Sequence, residues 1–374
     1  MGAQTESSTG GATAATRLGF LLLLVAAMFD IEPLYVTAVA LLVLGIGCRA
    51  WVASGARGVS ISRSLSAARV VEDDPLATEI VLRSNRVALP SCVVVDPLLE
   101  EPVAVGGGRR VATVRVDARF PRRGRKQLQP PTAIVRDPLG LARRAIRDLR
   151  IGAHDEVLVL PRVESIRLTP DGAGGAGAIS RRTRPGVAAA AEIDIDGLRP
   201  HREGAPASRI HWPALARTGE LLERRLRPEG DTRPLVVLDA RGGSEEQLDA
   251  AVRAAASLTV HLADLGGCGL LLPGEHRPTP LEAGRSGWPH MHARLAVVEP
   301  GGAPGLTGLA TRRGAIFYVA ARPLSRIPPV LAHAPASGRV LVVPGALPGR
   351  RASFEVAGCT GYDLAPVRSR RAAA

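Results

Sequence analysis

The sequence predicts a three-part fold: an N-terminal transmembrane helical hairpin, a β-sandwich domain, and a three-layer α/β domain. Two apolar runs, residues 18–29 and 33–48, are separated only by Asp30, Ile31 and Glu32, and no comparable run follows in the 374 residues. Residues 59–165 then offer short strands broken by Gly and Pro. Further on, residues 234–239 form a continuous apolar stretch followed by apolar residues at helix spacing.

Each apolar run is shorter than the roughly 20 residues that span a bilayer core. Arg17 and Arg49 extend them by burying their stems while keeping their charges at the interface, and Trp51 adds an interfacial anchor. A single span through both runs would set Asp30 and Glu32 near its middle, at about 3 kcal/mol or more per charge. Two spans with a tight turn, over residues 17–52, avoid that cost. Arg17 precedes the pair, Arg49 and Arg57 follow it, and the turn carries only acidic charges, so both ends and the soluble body are expected in the cytoplasm. A signal peptide ending near Ala26 and Ala27, one retained span, and two buried soluble helices are the competing readings. Residues 1–16, small and polar, read as a disordered tail.

In residues 59–165 the candidate strands are 78–83, 92–95, 111–120, 132–135 and 157–160. Val114, Val116 and Ala118 alternate with Arg115, Asp117 and Arg119, the period of a half-buried strand. Turns at residues 106–108, Pro121, Gly124, Pro130 with Pro131, and 138–140 separate them, which suggests a β-sandwich. Residues 141–149 fit a short helix or an irregular edge equally well. The Gly, Ala and Arg-rich residues 169–190 read as a flexible loop, and 191–229 form a separate dense segment. In the last domain, 230–374, Ser244 and Gln247 can close a capping box. Leu248, Ala251, Val252, Ala255, Leu258, Leu262 and Leu265 then mark one helix face. Further strands are expected at 269–272, 294–298, 315–319 and 339–343, in a parallel sheet. Residues 354–356 and 362–364 add an edge strand or close the chain.

Charge and cysteines bound the function. The chain carries 48 basic and 35 acidic residues, a formal +13, yet Lys126 is its only lysine. The excess can face anionic lipid head groups, nucleic acid or water. The basic clusters at residues 122–126 and 181–184 lack the interleaved aromatics of a single-strand platform, so no specific nucleic acid is expected. Cys48, Cys92, Cys268 and Cys359 are widely scattered with no C-x-x-C pair to support zinc, the expected cytoplasmic placement argues against disulfides, and they read as small buried hydrophobes. No Walker-type glycine loop and no H-E-x-x-H motif occurs, and His290 with His292 reads as a loop pair. Neither metal nor cofactor is expected.

The densest constellation is Gly197, Arg199, Glu203, Gly204, Arg209, Ile210, His211 and Trp212, followed by Ala216, Arg217, Thr218, Gly219, Glu220 and Leu221. Arg199, Arg209 and Arg217 can pair with Glu203, Glu220 or Glu223 as a structural clamp; open to solvent, they form a partner surface. His211 with Glu220 is the best enzymatic pairing, but Ser208 and Thr218 sit in no nucleophile elbow. The constellation resembles the signature of the DUF58 family of bacterial proteins. Gly124, Asp137, Pro138, Leu139, Gly140 and Leu141, and residues 157–161, add to that resemblance. It implies a membrane hairpin, a β-rich region and a domain similar to von Willebrand factor type A, working beside a MoxR-type AAA+ ATPase in envelope-related assembly.

Two departures qualify the resemblance. The von Willebrand-type metal site uses Asp-x-Ser-x-Ser, whereas Asp239, Arg241 and Gly243 stand at those positions. A hard divalent cation needs several oxygen ligands, so this site is degenerate and Asp239 is expected to pair with Arg241 or cap local backbone. Relatives carry an acid directly after the glycine that matches Gly204, but here Ala205 and Pro206 follow. The expected function is a scaffold or interaction protein of the cytoplasmic membrane, the alternatives being a hydrolase using His211 or a binder of nucleic acid or other anionic surfaces.

Overall fold

The computed structural model describes residues 5–8, 10–85, 88–147, 156–169, 195–200, 211–226, 233–324 and 327–364. The chain divides into two units, Met1–Val159 and Leu160–Ala374.

The first unit opens with a short strand, β1 (Thr5–Ser8), and two long helices, α1 (Gly10–Phe29) and α2 (Glu32–Ala56). Both helices are long and apolar enough to cross a membrane. Asp30 makes the reversal in the left-handed region, φ 50°, which a short polar side chain tolerates. Ile31 N–H then donates to Ala26 O at 3.3 Å, closing the end of α1. The two helices meet along small residues spaced by seven: Ala12, Gly19 and Ala26 on α1, and Ala38 and Gly45 on α2, are all buried. A Cβ at Gly19 would lie 2.9 Å from Ala38 O, so glycine permits the close approach. Phe20, Met28, Val36, Val43 and Ile46 remain exposed on the outer faces.

The strands that follow are β2 (Val59–Leu65), β3 (Arg69–Val71), β4 (Leu76–Ser84), β5 (Cys92–Val95), β6 (Val103–Val105), β7 (Val111–Ala118), β8 (Gly124–Gln127), β9 (Thr132–Arg136), β10 (Arg143–Arg147) and β11 (Glu156–Leu160). They form sheets in the orders β1-β10-β9-β5-β6, β2-β4-β7 and β3-β11-β8. The first two are antiparallel throughout. They share one core, in which Ile61, Ile80, Leu82, Val94, Val135 and Ile146 pack with Cys48, Val52 and Ala56 of α2. The base of the hairpin is therefore part of the β-domain core. Arg63 of β2 and Asp96 form a fully buried ion pair at 2.9 Å, and Arg63 also donates to Gln129 O.

The turn after β9 fastens the hairpin. Leu141 O accepts the Ala12 N–H at 2.9 Å, satisfying a donor that the first turn of α1 leaves open. The buried Asp137 carboxylate accepts from Leu139 N–H, Ala142 N–H and the Cys48 thiol. Burial alone would raise the Asp137 pKa; those hydrogen bonds outweigh it and hold the carboxyl below its usual range. This docking corrects two expectations. The helix begins at Gly10, not after residue 16, and β1 pairs with β10, because the Gly11–Ala12 backbone lies against Leu141. Residues 143–147, left open between helix and edge, are a strand joining β1 to β9.

In the second unit β12 (Arg167–Leu168) comes first. Then β13 (Ile195–Pro200), α3 (Trp212–Thr218) and β14 (Leu222–Leu226) form a small hairpin carrying one helix. The large sheet is built from β15 (Leu235–Asp239), β16 (Cys268–Leu271), β17 (Thr279–Leu281), β18 (Ile316–Ala320), β19 (Arg339–Pro344), β20 (Phe354–Val356) and β21 (Cys359–Asp363). Their order is β12-β20-β21-β19-β18-β15-β16-β17. Only β19, β18, β15 and β16 are mutually parallel. β17 and β21 run antiparallel to their neighbours, so the sheet is mixed and not the parallel sheet expected. Tight returns such as Ala357–Gly358, both at positive φ, allow β20 and β21 to pair directly.

Helices α4 (Glu245–Asp264) and α5 (Trp288–Ala296) cover one face of this sheet, through Leu248, Val252, Leu258, Met291 and Leu295 against Val236, Leu238, Phe317 and Val342. On the other face Tyr318, Leu341 and Tyr362 pack with Leu309 and with Leu331 of α6 (Pro329–His333). Ser244 and Gln247 close a reciprocal capping box on α4. The strand expected at 294–298 is instead the end of α5. Met291, His292, Leu295 and Ala296 bury one helical face, and that periodicity overrides the β-branched pair Val297–Val298. His290 and His292 therefore lie on a helix and not in the expected loop.

Candidate functional site

Two places concentrate chemistry: the signature segment and the end of β15. In the signature, β13 and β14 place Arg199 directly across from Glu223, and the register shift between Ile195 and Leu198 contains Gly197. Extra residues of this kind bend a strand, and glycine accommodates the bend. Glu203, Gly204 and Arg209, with Ala205 and Pro206, lie outside the described residues.

His211 caps α3. Its Nδ1 accepts the Ala214 N–H at 3.1 Å, and the His211 backbone N–H donates to Leu222 O at 2.8 Å. One ring nitrogen is thus committed to a cap, a structural use that the pairing with Glu220 did not anticipate. Gly219, φ 70°, closes the helix by donating to Leu215 O, and Arg217 in the last turn complements the helix dipole. Ala214 of this helix is buried, Arg217 and Glu220 are exposed, and Trp212 is 59% exposed. A clamp would bury the indole. Here it faces solvent, as does Leu221.

The second place is the carboxyl end of the parallel strands, where β15 leads to β16 on one side and the chain later returns to β18 on the other. Such reversals are where open α/β sheets form crevices. Asp239, 2% exposed, ends β15 there. Its Oδ1 accepts from Arg241 N–H at 3.1 Å and Nε at 2.9 Å; its Oδ2 accepts from Arg241 Nη2 at 2.8 Å and Tyr318 OH at 2.6 Å. Burial pushes the Asp239 carboxyl up, but the Arg241 and Tyr318 hydrogen bonds more than compensate and lower its pKa. The carboxylate pushes the Arg241 guanidinium further up, and burial followed by Asp239 does the same to the Tyr318 phenol.

The Arg241 guanidinium thus pairs with both oxygens of the Asp239 carboxylate. Gly243 adds a steric bar to hydroxyl ligation: at φ 98° a Cβ there would fall inside van der Waals contact with Ala321 O. Among the described residues no three His, Cys, Asp or Glu side chains gather as a metal site. All four cysteines are free and buried, and burial pushes Cys268 and Cys359 up to about 12, leaving them as neutral thiols. His292 is buried, stacked on Trp288 at 4.6 Å between ring centroids and 2.6 Å from Pro161 O. That arrangement packs α5 in place.

Sequence reasoning missed Tyr318 as the fourth contact to Asp239, because it arrives from a strand 79 residues away. It also missed the anchoring role of Asp137. The run Asp137-Pro138-Leu139-Gly140 carries the signal of a self-capped turn, which spacing alone can suggest.

No protein-family model matches the chain, and no curated protein matches it. Among solved structures, Cwp6 from Clostridium difficile is similar over 69% of this chain at 10% identity, with a TM-score of 0.18. This chain spans about a third of that protein's length, 33%. A likeness so distant carries no argument about fold or function.

Proposed function

We propose that this chain is a membrane-anchored interaction protein of the DUF58 type, presenting the face of α3 to a protein partner. The observation that carries the reading is the exposed Trp212. A large aromatic left 59% exposed on a short helix has the character of an interface anchor. The helical pair and the acidic turn between Arg17 and Arg49 support insertion with the soluble body in the cytoplasm. Anionic lipid beside the anchor is the second partner. The mixed sheet with helices on both faces is consistent with a von Willebrand-like domain whose metal end is closed by Arg241.

The family resemblance points to a MoxR-type AAA+ ATPase as the protein partner. Affinity isolation of the full chain from membranes in mild detergent tests this. The wild type should recover an AAA+ ATPase, and the double variant Trp212→Ala, Arg217→Glu should lose it. Recovery of no such ATPase by the wild type, or equal recovery by the variant, refutes the reading.

A further inference from the structure

Where α2 enters the β domain there is a cleft of about 410 Å³, walled by Trp51, Cys92, Val105, Ile134, Arg136 and Pro138. Its depth relative to a bilayer follows from helix geometry. Glu32 starts α2 and Trp51 lies 19 residues further, so a rise of 1.5 Å per residue sets them roughly 28 Å apart. A hydrocarbon core of about 30 Å then brings Trp51 to the far interface. The contact between Leu141 O and Ala12 N–H fixes the same level on α1, 17 residues before Phe29, or roughly 26 Å. The β domain thus touches both helices at head-group depth.

The outer face of α2 leads to the cleft through exposed Val36, Val39, Val43 and Ile46, a surface continuous with lipid in the anchored reading. At the cleft itself Arg136 is exposed and takes part in no described ion pair, while the neighbouring Asp137 carboxylate is occupied by its own turn and by Cys48. An aromatic and aliphatic wall with one guanidinium at interface depth matches a lipid with an anionic phosphate head. We infer that this cleft is a binding site for an anionic phospholipid, its phosphate held by Arg136 and its glycerol end against Trp51. The inference rests on the membrane-anchored reading above.

Native mass spectrometry of the detergent-solubilised full chain, titrated with phosphatidylglycerol or phosphatidylcholine, tests it. The wild type should retain one phosphatidylglycerol in preference to phosphatidylcholine, and Arg136→Gln should weaken that retention about tenfold, as expected for loss of a charge-assisted contact. Arg49→Gln, which alters charge near the anchor but not the cleft, should leave it unchanged. Equal retention of both lipids, an unaffected Arg136→Gln variant, an equal loss in Arg49→Gln, or competition by soluble glycerol 3-phosphate each overturns the site. Carbonate extraction separates the two failures. A chain that resists extraction but shows no lipid preference loses only the cleft, whereas an extractable chain loses the anchor as well.

Discussion

Replacing Arg241 with Ser tests whether a guanidinium has taken over the place of a metal at the end of β15. The variant removes two hydrogen bonds and a charge from Asp239, which stays 2% exposed and keeps only the backbone N–H of residue 241 and the Tyr318 hydroxyl. Breaking a fully buried ion pair costs about 3–5 kcal/mol. The Arg241 side chain is 45% exposed, and exposed pairs contribute about 0–1 kcal/mol, so about 2 kcal/mol is expected here. For a unit of this size that lowers the melting temperature by about 4–8 °C.

The pH dependence has a definite sign. Because Asp239 has a depressed folded-state pKa, its contribution is present above the unfolded carboxyl value, about 3.9, and is lost as pH falls through the folded value. Without Arg241 the folded value rises toward the unfolded one, so the variant loses less stability than the wild type as the pH falls, and the gap between the two narrows in acid. Calorimetry of the full chain in detergent, from pH 7 downward and with or without saturating Mg²⁺, reads both effects. Mg²⁺ should not restore the variant, since Gly243 cannot be replaced by a ligand without moving Ala321. Recovery of the lost melting temperature by Mg²⁺, or an Arg241→Ser variant as stable as the wild type, would refute the reasoning.

Other perturbations separate architecture from surface. Arg63→Met leaves Asp96 buried without its cation and should cost about 3–5 kcal/mol by denaturant titration; Arg115→Ala, whose partner Glu79 is exposed, should cost under about 1 kcal/mol. Gly45→Leu drives a Cβ into Thr16 and Ala12 O and should abolish monodisperse protein by size exclusion, whereas Gly47→Leu, with open space around it, should remain monodisperse. Asp137→Ala strips acceptors from Leu139 and Ala142 and should destabilise the first unit by about 3 kcal/mol, together with faster proteolysis at the hairpin base.

Local patterns were readable in the sequence and non-local ones were not. The apolar runs of the hairpin, the alternation in β7, the strand β15 and the Ser244 capping box depend on residues a few positions apart, and their periods identify them. The start of α1 was not readable, because Gly11 and Ala12 are small residues whose partner, Leu141, lies about 130 positions away. Helix α5 was misread as a strand because four apolar residues, 295–298, obscured the longer helical period that includes Met291. At the end of β15 the spacing of Asp239 and Arg241 announced their pairing, but Tyr318 and the Ala321 carbonyl come from a neighbouring strand and its exit. In the signature, residue types alone could not distinguish a buried Trp212 from an exposed one.

Site-directed labelling in intact cells tests the central claim most directly, that the N-terminal helices cross the membrane and leave the body inside. Glu32→Cys lies exposed at the turn between α1 and α2, and Ser62→Cys lies exposed on β2. A membrane-impermeant maleimide should label the first in intact cells and the second only after lysis. Labelling of Ser62→Cys in intact cells, or equal behaviour of the two positions, would contradict the account.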